Sequence, residues 1–313
     1  MAWLDVTLAR LADATAWGYA SVGPTAAEPA GLAALALMAH GRHAAAQAPL
    51  KWLLGQQAAN GGVGALGGDP DPAWPTAWSV LAWQTAAKVE RDGYSAEAYR
   101  EAVRRGVDWL LEAHGKPLEQ TVHLGHNASL IGWPWVLGTH SWIEPTALAV
   151  LSLKATGRRE HARTCEAVRL LIDRLLPDGG CNYGNTAVLG QMLRPHVQPS
   201  GLCLWALAGE TDADGRIART REYLAREILT QEATASLSYG LLGLAAHEIR
   251  PPQVESLLAR AAERTLRRTP AAYRLALLAL AAPHDDSRFV PDSIFPTDAL
   301  STQNVAPPAT LVP

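Results

Sequence analysis

The chain has almost no phenylalanine. Its two Phe, Phe289 and Phe295, stand near the C-terminus, whereas eleven Trp are spread from Trp3 to Trp205. Cores ordinarily draw on both residues, so the bias points to indole faces used for contact as well as for packing. Cysteine is scarce too: Cys165, Cys181 and Cys203 are too few and too scattered for a disulfide framework or a structural zinc knuckle. No apolar run reaches the roughly 18 residues that a membrane span requires. An excess of one charge is also lacking, and a net −3 gives no electrostatic case for nucleic acid or an anionic membrane surface. Basic residues such as Arg100, Arg104 and Arg105 lie beside acids and read as a solvated helix face. Residues 2–15 carry acids inside their apolar pattern, which predicts an amphipathic helix rather than a secretion signal. A cytoplasmic protein is the simplest expectation.

What the chain does have is a repeat. EPAGLAALAL at 28–37, WPTAWSVLAW at 74–83, EPTALAVLSL at 144–153 and QPSGLCLWAL at 198–207 align without gaps, and looser copies follow near 235–244 and 271–280. Proline at the second position suits a first helical turn, where its missing N–H costs no hydrogen bond. The rest of each copy is apolar nearly all round, the mark of a helix buried on most sides. Stretches near 2–15, 43–57, 95–114, 159–176, 214–229 and 251–267 alternate with these copies and predict amphipathic helices. Six such pairs predict an all-α (α/α)6 toroid over residues 1–282, with inner helices around the hole and outer helices facing water. Residues 283–313, rich in Pro, Asp, Ser and Thr, read as an irregular C-terminal tail.

A second element precedes the buried helices. QAANGGVG at 57–64 and DGGCNYGN at 178–185 are Gly-rich turns, with Trp17-Gly-Tyr19 and Gly132-Trp133 as weaker copies. Trp17, Val63 and Trp133 precede Glu28, Trp74 and Glu144 by eleven positions each, while Cys181 precedes Gln198 by seventeen. A long insertion, Lys116 to His140, leads into the third copy.

These residues carry a likeness. The Gly-rich turns and the PTALAVLSL helix resemble the prenyltransferase and squalene-oxidase repeats of triterpene cyclases, class II terpene cyclases and the β subunits of protein prenyltransferases. The resemblance covers about residues 15–280 and implies the same toroid. Class II cyclases start their reaction with a DxDD motif ahead of a Thr-Ala pair. Here Thr146-Ala147 match, and the motif positions fall on Trp142, Ile143, Glu144 and Pro145, of which only Glu144 keeps a carboxyl group. P-loop, Rossmann-type glycine, nucleophile-elbow and DDxxD patterns are lacking.

The resemblance therefore implies an isoprenoid-handling enzyme, foremost an atypical class II cyclase acting on a linear prenyl substrate without a cofactor. Glu144 would be its proton donor and His140 the partner orienting it. Trp74, Trp78, Trp133, Trp135, Trp142, Tyr183, Trp205 and Tyr239 would wall the cavity, their ring faces stabilising cations. Two other readings stay open. One is a non-catalytic toroid binding a lipid or protein partner, with peripheral membrane contact also left open; the other is a zinc-dependent prenyltransferase-like subunit drawing on Cys181, His123 and His126. Glu144 and Glu28 also suit a simpler role, offsetting helix dipoles. Asp69, Asp71 and Asp178 suit glycosidic or phosphate chemistry by type, but their Gly and Pro neighbours read as turns.

Overall fold

The computed structural model describes residues 2–89, 94–121 and 124–282. In chain order its helices are α1 (Ala2–Ala12), α2 (Ala27–Ala39), α3 (His43–Gln56), α4 (Pro75–Val89), α5 (Tyr94–Glu112), α6 (Ile143–Ala155), α7 (Ala162–Arg174), α8 (Val197–Ala206), α9 (Arg216–Glu227), α10 (Thr234–Ala245), α11 (Val254–Arg268) and α12 (Ala272–Ala281). The even-numbered helices pack side by side from α2 through α12 and back onto α2, closing a ring. The odd-numbered helices lie outside it. This is the (α/α)6 toroid that the repeat predicts. The expected tail, 283–313, lies outside the described residues.

Burial follows the sequence pattern. Every residue of α6 from Ile143 to Leu153 is buried, as expected of a helix with neighbours on all sides. In outer α11 only Val254, Leu257, Leu258, Ala261, Ala262 and Thr265 are buried, one stripe at helical spacing. Small residues set how closely the inner helices approach. A Cβ placed on Gly201 of α8 would collide with the Tyr239 carbonyl of α10, so these two backbones touch directly.

The eleven-residue register has a physical cause. The Thr or Ser two positions beyond the aligned Glu, Trp or Gln folds back on the loop that leads into its helix. The Thr76 hydroxyl accepts from the Val63 N–H (2.8 Å) and donates to the Val63 carbonyl (3.3 Å). Thr146 does the same with Trp133 (3.0 and 3.3 Å), and Ser200 with Cys181 (2.8 and 3.3 Å). The clamped residue plugs the core, with Trp17 5%, Val63 0%, Trp133 3% and Cys181 0% exposed, which is why Trp, Val and Cys interchange there. A backbone hydrogen bond then returns to the same residue from just ahead of each helix: Ala26 to Trp17, Ala73 to Val63, Trp142 to Trp133 and His196 to Cys181. In the longer fourth lead, the extra residues form a small hairpin of strands β1 (Ala187–Val188) and β2 (Gln191–Met192), which the sequence pattern did not foretell.

Neighbouring repeats are tied at the same end. The leading N–H of α2 (Ala27) donates to Ala65 in the loop before α4, and that of α6 (Ile143) to Tyr183 in the loop before α8. The Tyr273 N–H of α12 donates to Gly18 in the loop before α2, so the same kind of bond helps to close the ring. At the far ends, side chains cap neighbouring helices. Lys154 reaches the Ala206 carbonyl (2.8 Å) and Glu210 (2.6 Å), and His247 reaches the Leu204 carbonyl (2.8 Å).

Replacing Thr146 by Val keeps its shape and leaves the buried Trp133 N–H without its acceptor. A loss of about 1–3 kcal/mol in urea unfolding is expected; an unchanged midpoint would show that the clamp adds nothing to stability.

Candidate functional site

All six inner helices run in one direction through the ring, so their N-termini share one mouth. Glu28, Trp74, Glu144 and Gln198 hold the same repeat position and therefore arrive there together. Gln198 donates to Glu144 Oε1 (2.9 Å). Glu28 Oε1 accepts from the Trp78 indole (3.2 Å) and the Tyr239 hydroxyl (3.3 Å), and its Oε2 accepts from the Tyr19 hydroxyl (2.5 Å). Trp74 adds a weaker favourable interaction with Glu28, its buried indole N–H standing outside ordinary hydrogen-bond distance. Tyr239 in turn pairs with Tyr273, whose ring lies 5.1 Å from that of Tyr19. Donors from α4, α10 and the first loop thus converge on one carboxyl group.

Electrostatics set the two acids apart from ordinary surface carboxylates. Glu144 is 7% exposed, and burial pushes its carboxyl up to about 7, the Glu28 charge adding to the rise and the Gln198 amide opposing it. Burial raises Glu28 as well, and its phenol and indole donors pull it back toward the ionised form. Glu28 nevertheless keeps partial contact with solvent. Burial and the Glu28 charge also hold the hydroxyls of Tyr19 and Tyr273 well above the usual phenol range, so both stay protonated.

Rings surround the pair. Trp78 and Trp205 lie fully buried with centroids 6.2 Å apart and form the floor of the mouth. Trp142, half-buried, stacks with His140 at 4.7 Å, and exposed Tyr183 stacks with His196 at 5.2 Å. His140 therefore lies against Trp142 rather than holding Glu144, whose observed partner is Gln198. Trp133 is a structural residue: its indole donates to the Leu110 carbonyl (2.9 Å), and the Arg163 guanidinium covers its ring at 4.4 Å. Trp135 meets Trp74 edge-on at 5.0 Å, and the seam walled by Trp74, Trp133, Trp135 and Pro145 encloses about 10 Å³, room for one water.

The residues considered for metal do not assemble. Buried Cys181 lies against Cys203, His126 is buried beside Arg174 and Asp173, and His123 lies outside the described residues. Among the described residues no group of three or more His, Cys, Asp or Glu is placed to hold a metal ion. Asp69 makes the turn that its neighbours suggest, accepting from the Ala65 and Asp71 N–H groups. Sequence reasoning undervalued Glu28. The shared register that places it opposite Glu144 was visible, but a matching acid in a sister repeat reads first as a dipole partner. Tyr273 carried no sequence signal.

No family model and no curated protein matches the chain. Among solved structures, it is similar to a protein from Actinoplanes (TM-score 0.55, 14% identity, covering 89% of this chain and 98% of that one). It is likewise similar to endoglucanase Cel10, a family 8 glycosyl hydrolase from Klebsiella pneumoniae (TM-score 0.51, 14% identity, 90% and 98% covered). At that identity the likeness establishes the fold. It also corrects the expectation of a prenyltransferase or squalene-oxidase repeat protein, because the neighbour whose activity is named is a glycosyl hydrolase. With that expectation fall the isoprenoid readings: the class II cyclase, its lipid-binding and zinc-dependent alternatives, the prenyl substrate and the membrane contact. The physical reason lies in the motif itself. Its Thr clamps and Gly-rich leads hold the ring together, so they report the toroid and not what binds in it. Among the described residues no helix is long and apolar enough to cross a membrane.

The raised Glu144 has a consequence for stability. Unfolded, its carboxyl returns to the ordinary 4.5, whereas folded it titrates near 7. The stability it supplies is therefore full below pH 4.5 and is lost as pH rises through 7. Glu144→Gln should be more stable than wild type at pH 8 by about 2–3 kcal/mol, the difference closing near pH 4.5. A variant equally destabilised at both pH values would contradict the raised carboxyl.

Proposed function

We propose that this chain is a glycoside hydrolase whose acid–base pair is Glu144 and Glu28. The observation that carries the reading is two carboxyl groups at one mouth of the ring, both raised by burial and both held by side-chain donors, with Glu144 raised to about 7. A carboxylic acid that keeps its proton near neutral pH beside a second carboxylate is what cleavage of an acetal bond requires. The similarity in fold to a family 8 endoglucanase supports the same reading.

The environments divide the labour. Glu144, held by one amide, carries the proton and delivers it to the glycosidic oxygen as the bond from that oxygen to the anomeric carbon breaks. Glu28, ringed by donors that favour its charged form, takes a proton from the water whose oxygen bonds to that carbon. The exposed ring of Tyr183 and the half-buried ring of Trp142 offer flat apolar faces to the C–H side of a sugar. The three cysteines are free thiols, which supports a reducing, cytoplasmic setting.

The test is hydrolysis of a panel of oligosaccharides and aryl glycosides. Glu144→Gln and Glu28→Gln should each lower kcat by about 10²–10⁴-fold, and wild-type kcat/KM should fall as pH rises past 7, when Glu144 loses its proton. No turnover of any glycoside, or a Glu144→Gln enzyme as fast as wild type, would overturn the assignment.

A further inference from the structure

His126 is 5% exposed, and neither of its ring nitrogens meets a hydrogen-bond partner among the described residues. Buried polar groups are nearly always paired, so this exception calls for an explanation. The ring belongs to residues 124–131, a segment tied to α7 through its backbone. The Asn127 N–H donates to Asp173 Oδ2 (2.9 Å), the Ile131 N–H to Glu166 Oε1 (3.1 Å), and Arg163 to the Ile131 carbonyl (3.1 Å). The segment also packs against the lead into α8: a Cβ at Gly125 would strike the Thr186 hydroxyl.

The charged groups facing the His126 ring come from α7 and its last turn. Arg174, itself 4% exposed, sets a buried cation beside it, and Asp173 a carboxylate that already accepts from Asn127. The lead into α8 presents the neutral Thr186 and Ala187 to the adjacent Gly125. Arg174 also donates to the Gly184 carbonyl, and Gly184 packs on the Trp142 ring. His126, Arg174, Gly184 and Trp142 are thus successive neighbours from the segment to the mouth.

This place suits a neutral ring and no other. A protonated one would add a second buried cation beside the guanidinium, with no acceptor for either N–H. Burial and the Arg174 charge push the imidazole down to about 4, the Asp173 charge opposing them. Once out in water the same ring returns to 6.5. Docking is therefore fully favoured above pH 6.5, and the preference fades as pH falls toward 4.

We infer that His126 is a pH-sensitive latch: on taking up a proton it leaves its place, and residues 124–131 lift from α7 and from the lead beside the mouth. Release opens Arg174 and Thr186 to water and so alters the packing behind Gly184 and Trp142. The device is independent of the glycoside hydrolase reading.

Amide hydrogen exchange of the full chain, read by mass spectrometry as protection factors from pH 7.5 to 4.5, tests this. Protection across residues 124–131 should fall about tenfold per pH unit below 6.5, while the inner helices keep theirs. In His126→Phe and His126→Gln, which cannot take up the proton, it should stay level, and two replacements guard against one that misfolds. In wild type, the His126 imidazole followed by NMR should titrate well below pH 6. Level protection in wild type or an imidazole titrating above pH 6 would overturn the inference. An equal fall in either folded variant would overturn it too, placing the trigger in Asp173 or Glu166 instead.

Discussion

The structure depends on a small hydrogen-bonded clamp. A hydroxyl in the first turn of an inner helix grips both backbone groups of the residue that leads into it, as Thr76, Thr146 and Ser200 do. The clamp fixes where each helix begins and aims the side chain two positions earlier at the mouth. Glu28 comes to the same place through the same register, although Ala30 replaces the hydroxyl residue there and Thr25 accepts from the Trp17 N–H instead. Repetition thereby brings residues more than a hundred positions apart into one site.

At that site two effects on Glu144 compete. A helix N-terminus favours the ionised form by about 0.3–1 kcal/mol. Burial and the neighbouring acid favour the neutral form, and a rise from 4.5 to about 7 corresponds to roughly 3 kcal/mol. Burial wins, so Glu144 behaves as an acid, although its position alone would make it a charged cap. Burial raises Glu28 as well, with more donors around it opposing the rise.

Much of this was legible in the chain. The apolar copies with Pro in the first turn gave the inner ring, and the amphipathic stretches between them gave the outer one, because burial on all sides or on one side leaves different periodicities. The mouth was legible too, through the shared position of Glu28, Trp74, Glu144 and Gln198. What could not be read was which rings line space and which fill it. Trp133 and Trp142 both sit in the same Trp-rich lead, yet one is capped by Arg163 and the other lies half-open beside Tyr183. The hairpin at 187–192 was illegible for a related reason: its turn uses Leu189 where a sequence pattern would look for Asn or Gly. Chemistry was the hardest to read, because the residues that resembled another family serve the architecture that toroids share.

The central claim is that burial keeps Glu144 protonated up to about pH 7. Infrared difference spectra of wild type against Glu144→Gln, recorded from pH 4 to 9, test it directly through the carboxylic C=O stretch. The account predicts a protonated carboxyl band that Glu144→Gln removes and that in wild type fades around pH 7. A band already gone by pH 5 would show Glu144 to be an ordinary carboxylate and contradict it.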